Sequence, residues 1–162
     1  MNRPARALVF AGVAVAYLAA GKLGLALASV HPSATAVWAP TGIALAAFLG
    51  LGHRVWPAVF CAAFLVNMTT AGSIATSLGI AAGNTLEAAV GAYLIMRFAP
   101  ASPSFSRPAD VFTFTALAAL VSPAVSALFG VTSLALGGYA RWAGYGPILA
   151  TWWLGGAPGG LL

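Results

Sequence analysis

Residues 7–29 read ALVFAGVAVAYLAAGKLGLALAS, a run of 23 residues whose one charged side chain is Lys22. A helix that crosses about 30 Å of hydrocarbon needs about 20 mostly apolar residues, because the backbone there has only itself to hydrogen-bond with. This run meets that requirement. Five more segments along the chain do so too, at 35–51, 55–71, 74–96, 111–136 and 147–162. Between them lie turn-forming stretches: His31-Pro32-Ser33, Gly52-His53-Arg54, Thr69 to Ser73, Pro100 to Pro108, and Gly137 to Gly146. The expected fold is an all-α polytopic transmembrane bundle of about six helices, forming one integral-membrane domain over residues 1–162.

Composition points the same way. Of 162 residues, 61% are hydrophobic and 6% charged, with a mean hydropathy of +0.96. A soluble domain carries about a quarter charged residues to solvate its surface, so most of this surface faces lipid. Disordered chains are polar and poor in aromatics, whereas this one has 9 Phe, 5 Trp and 4 Tyr. Its one cysteine, Cys61, excludes a disulfide framework and is expected as a small buried thiol. The net charge of +5 does not indicate nucleic acid, because the seven Lys and Arg are scattered singly rather than clustered on one face.

Those cations fit a topology. Short loops rich in Lys and Arg stay in the cytoplasm. Arg3 and Arg6 therefore place the N-terminus inside, and alternation puts Arg54, Arg97 and Arg107 inside as well, leaving Arg141 in an outer loop. A rival reading makes the first segment a signal peptide cleaved after Ala26-Leu27-Ala28, which leaves the other five helices oriented as before. The sixth segment stops at Leu161-Leu162 without a flanking cation, the pattern expected of a fragment of a longer protein.

Charges at bilayer depth cost at least about 2.5 to 3.5 kcal/mol, so each needs a partner or a task. Lys22 and Glu87 are the two that stand there, and their depths admit an ion pair inside the bundle. The alternative has Lys22 reaching to the outer headgroups and Glu87 protonated or bonded to Asn84. Asn84 and Glu87, three residues apart, share a helix face, and Gly79, Gly83 and Gly91 predict close approach of a neighbouring helix. Asn67, Trp38 and Pro40 fall near outer helix ends. Trp38, Trp56, Trp142, Trp152 and Trp153 are expected as an interfacial belt, and Pro40 and Pro123 as kinks that free carbonyls.

A search for catalytic chemistry ends without a candidate. His31 and His53 lie in opposite loops and cannot share a metal; no Walker loop, GxSxG, CxxC or HExxH is present, and no cofactor motif. Asp110, after Pro108, reads as a helix N-cap rather than half of a carboxylate pair.

Taken in order, the motifs resemble the first type of membrane-associated sensor domain, the integral-membrane input module of bacterial sensor histidine kinases and diguanylate cyclases. The resemblance rests on Tyr17-Leu18-Ala19-Ala20-Gly21-Lys22-Leu23-Gly24-Leu25, Val37-Trp38-Ala39-Pro40-Thr41-Gly42, Arg54-Val55-Trp56-Pro57 and Ala63-Phe64-Leu65-Val66-Asn67. It continues through Gly83-Asn84-Thr85-Leu86-Glu87-Ala88, Leu120-Val121-Ser122-Pro123 and Thr151-Trp152-Trp153-Leu154-Gly155. Each piece is short, and their order and spacing carry the specificity. The resemblance implies about eight transmembrane helices in the bacterial inner membrane, joined to cytoplasmic signalling domains. Two departures stand out: the early stop, and Gly156 where relatives usually have an acid.

From these readings Lys22, Trp38, Pro40, Asn67, Asn84, Glu87, Trp152 and Trp153 form a candidate intramembrane sensory or packing site, with no catalytic or metal-binding residue among them. The expected partners are the lipid bilayer, a membrane protein or small ligand as the cue, a cytoplasmic output domain, and a second copy in a homodimer. The competing reading is a small transporter or channel subunit with a polar path at Lys22, Asn84 and Glu87.

Overall fold

A computed structural model describes residues 3–28, 30–70, 72–98 and 108–161, apart from the side chain of residue 110. Among the described residues the protein is 84% helical and has no strand. Its helices are α1 (Arg3–Leu25), α2 (Pro40–Leu51), α3 (Trp56–Met68), α4 (Ile74–Phe98), α5 (Pro108–Thr115), α6 (Ser122–Leu136) and α7 (Tyr145–Leu161). A π-helical turn, Ala116–Val121, joins α5 to α6 into one rod, so seven helices make six bodies. Among the described residues three stretches are long and apolar enough to cross a membrane: Arg3–Leu25, Ile74–Phe98 and Val111–Leu136.

The second and third segments are shorter than expected. Residues 31–39 are not helical, and α2 begins at Pro40, where a missing N–H removes nothing the helix needs. Pro40 thus starts a helix and kinks none, a correction to the sequence reading. At 12 residues α2 spans about 18 Å, well under a hydrocarbon core. Gly52, at φ 76°, turns the chain into a short 3-10 segment, and α3 starts at Trp56-Pro57. Pro123 does sit inside a rod. Its missing N–H lies beside the π turn, where the Ser122 N–H bonds back five residues to Leu117. Asp110 lies within the first turn of α5 and does not precede it; its side chain is outside the described residues.

Glycines set how the bodies pack. A Cβ at Gly83 would stand 2.6 Å from the Phe129 Cβ, one at Gly91 would stand 2.7 Å from the Ser122 Oγ, and one at Gly79 would collide with Ser133. Helix α4 therefore lies directly on α6, as its small residues predict. On α7, Cβ atoms at Gly155 and Gly159 would run into the backbone carbonyls of Thr35 and Trp38. That close rail lets the Trp38 backbone N–H donate to the Gly155 carbonyl at 2.8 Å, which holds residues 35–38 against α7 and out of α2. Two apolar clusters result. One gathers α1, α2, α3 and α4 around Tyr17, Phe48, Val59 and Val66; the other gathers Ile80 of α4 with Val131, Leu134 and Trp152. Only α4 supplies core residues to both among these helices.

Lys22 bonds to the last turn of α3, Gly137 abuts Thr76 and His31 meets Tyr139. These contacts bring the loops after α1, α3 and α6 to one end of the bundle. Arg3, Arg6, Arg54 and Arg97 belong to the opposite ends of their helices.

Candidate functional site

Glu87 lies at the centre of the molecule, 2% exposed, on the face of α4 that meets α2 and α6. Thr41, one residue into α2, donates its hydroxyl to Glu87 Oε1 at 2.9 Å, and Ser126 of α6 approaches the same carboxyl. Ser122 donates to the Glu87 backbone carbonyl at 2.8 Å. A Cβ on Gly156 would come within 3.5 Å of Glu87 Oε1, so α7 closes the site from a fourth side. The carboxyl is thus surrounded by hydroxyl donors from two other helices and by the bare backbone of a third.

Tyr17 completes the cluster. It is 1% exposed, the most buried side chain of α1, and stands beside Glu87, Asn84 and Trp38. Tyr17 and Gly21 share the inner face of α1, where Gly21 packs on Val66 and the Trp38 ring; Tyr17 and Trp38 meet edge to face with ring centres 6.5 Å apart. Asn84, 3% exposed, and the buried Trp38 indole both approach the Tyr17 side chain, though none of their side-chain polar atoms reaches full hydrogen-bond geometry with a partner. Buried polar groups are bonded in the great majority of cases, so Tyr17, Asn84 and Trp38 form a loosely satisfied polar cluster beside Glu87.

The structure does not pair Lys22 with Glu87. Five residues separate Tyr17 from Lys22, about 140° around the helix, so the residue that faces Glu87 and the one that carries the charge point different ways. The Lys22 ammonium instead reaches Thr69 O at 2.8 Å, Thr70 Oγ1 at 3.0 Å and Val66 O at 3.3 Å. Those acceptors close the C-terminal end of α3, where a cation is favoured by the helix dipole. Glu87 does not bond Asn84 either; its partner is Thr41.

The remaining expected residues divide. Asn67 donates to Ala63 O at 2.8 Å and, with Trp38 and Trp152, lines a crevice beneath Ser33, Ala34 and Thr35. Pro40 is buried at the start of α2. Trp153 lies on the outside and donates its indole N–H to Leu120 O, a carbonyl of the π turn, at 2.8 Å. Two of the tryptophans expected in an interfacial belt lie inside the bundle instead. Trp56 and Trp142 are exposed, but Trp38 and Trp152 are 7% and 6% exposed and belong to the core. Each is drawn in by glycine: Trp152 fills the space over Gly130, and Trp38 that over Gly21 and Gly24. Cys61, expected buried, is exposed on the outer side of α3.

Sequence reading missed Tyr17, Thr41, Ser122 and Ser126. The first three lie inside the short motifs quoted above, and Ser122 and Ser126 repeat at the four-residue spacing of one helix face; that spacing was the available signal. Among the described residues no three His, Cys, Asp or Glu gather in a way that could hold a metal.

Comparison with known proteins gives one match. The model of a membrane-associated sensor domain family, MASE1, fits residues 7–162, nearly the whole chain. No curated protein and no solved structure matches.

Proposed function

The chain belongs to the MASE1 family, and on that premise we propose that it is the sensory input module of a bacterial signalling protein, acting across the inner membrane on a cytoplasmic output domain. In this reading residues 1–162 form a single multi-pass domain with Arg3, Arg6, Arg54 and Arg97 at the cytoplasmic end and Lys22, His31 and Tyr139 at the outer end. The grouping of four cations at one end supports it.

The observation that carries the reading is the Glu87 cluster. A carboxyl held by hydroxyls from α2 and α6, beside Tyr17 and a loosely held Asn84, joins helices through few and exchangeable hydrogen bonds. Such bonds average only about 0.6 kcal/mol in membrane bundles, so alternative packings lie within reach of a cue that binds one of them better. Lys22, Trp38, Pro40, Asn67, Trp152 and Trp153 serve this site as its frame: Trp38 and Trp152 shape the outer approach, while Lys22 ties α1 to α3. Transport along Lys22, Asn84 and Glu87 has less support, because Lys22 faces another way.

The test joins this chain to a diguanylate cyclase domain and measures cyclic dinucleotide in cells, with the Glu87→Gln form at equal membrane abundance. A changed output in Glu87→Gln, with folding retained in detergent, supports the proposal. Equal output from both forms and from an unrelated membrane anchor overturns it.

A further inference from the structure

Apart from the carboxyl cluster, the molecule has a crevice at its Lys22 end. Its walls are Ser33, Ala34, Thr35, Trp38, Asn67 and Trp152, drawn from the 31–39 segment, α3 and α7. Its free space, about 10 Å3, is at the lower limit for admitting a single water molecule.

The walls are polar where a water would need them. Ser33 is 5% exposed and its hydroxyl has no partner. The Thr35 hydroxyl accepts only a long contact, 3.5 Å, from the Val37 N–H, which leaves its own proton to donate. Asn67 gives one of its two amide N–H bonds to Ala63 and keeps a second N–H and a carbonyl oxygen on the same side chain. A buried water typically makes two to four hydrogen bonds, and three side chains here offer them. No wall residue is charged.

The loop above is tied down rather than free. His31 accepts the Ser33 N–H at Nδ1, 3.1 Å, and through Nε2 it meets the Tyr139 carbonyl at 3.0 Å. With Nδ1 accepting, Nε2 carries the proton and donates. Beneath the crevice the Trp38 indole meets Tyr17, which in turn stands beside Asn84 and Glu87.

We propose that this crevice is a hydration site holding one water on Ser33, Thr35 and Asn67, and that it brings the aqueous phase to the Trp38 wall of the buried cluster. The inference stands apart from the sensory reading: a dry crevice leaves the cyclase measurement unaffected, and a silent cyclase fusion leaves the hydration measurement unaffected.

The experiment is water-edited solid-state NMR on the whole chain in lipid bilayers, following early magnetisation transfer from water to the Ser33 amide and the Trp38 indole N–H. Trp142, exposed among the loops, gives the wet reference, and the Val131 amide, 0% exposed, the dry one. Transfer to Ser33 and Trp38 is expected several-fold above Val131. Ser33→Ala should at least halve the transfer to Trp38 while other signals keep their positions; where Ser33→Ala shifts the spectrum broadly, Thr35→Val serves in its place. Build-up at Ser33 and Trp38 equal to that at Val131, or transfer to Trp38 unchanged in the correctly folded variant, overturns the proposal.

Discussion

Helices α1 and α4 have nearly the same length, 23 and 25 residues, and opposite roles. The more apolar one, α1, with mean hydropathy 1.8 in its spanning window, has 11% of that window buried; α4, at 1.3, has 50% buried. In water the order would be reversed. In lipid an apolar side chain gains little by leaving the hydrocarbon, whereas the polar Ser77, Asn84, Thr85 and Glu87 are costly to expose to it and Glu87 gains the Thr41 hydroxyl, and glycines let backbones close on one another. Polarity and smallness, and not hydrophobicity, select the hub of this bundle.

Substitutions that add bulk on each helix should separate the two most sharply. Gly83→Leu on α4 drives a side chain into Phe129 and should cost about 3 kcal/mol or prevent assembly. Gly12→Leu on α1, with nothing within 4 Å of its Cβ, should leave stability within about 0.5 kcal/mol of the parent. Both are read by denaturant titration in micelles followed by tryptophan fluorescence, and equal effects would erase the contrast. Thr41→Val, which removes the donor to Glu87, is expected to lower stability by about 1 kcal/mol on the same assay. Lys22→Met should cost about 0.5 kcal/mol, because its three acceptors lie at a partly exposed helix end; its effect should shrink in high salt while that of Thr41→Val does not. Smallest of all, Val15→Ala on the outer face of α1, 68% exposed, should shift stability by no more than about 0.3 kcal/mol.

The same contrast explains what could be read in advance. Spans of long apolar residues announce themselves, so α1, α4 and the rod ending at Leu136 fall within a few residues of expectation. The face of α4 was legible too, because Asn84 and Glu87 are spaced to share it. What composition does not encode is how α1 is rotated about its own axis. That rotation is set by Gly21 and Gly24 closing on Val66 and Trp38, and it turns Tyr17 inward and Lys22 toward α3, which is why the ion pair fails. Likewise, tryptophan suits both an interface and a glycine-lined hollow, and only the positions of Gly130 and Gly24 decide that Trp152 and Trp38 go inside. Residues 35–39 look helical by hydropathy, but their hydrogen bond goes to a carbonyl of α7 more than a hundred positions away.

The π turn at Ala116–Val121 has one more consequence. Each surplus residue advances an α-helix by about 100°, so the stretches before and after this turn run out of phase, like two threaded bolts joined with a slip between them. A helical wheel drawn straight through from Val111 to Leu136 superimposes two unrelated patterns. Excising one residue from the turn would bring them into step, and would swing whatever lies upstream away from its present neighbours while leaving Ser122 and Ser126 where they are.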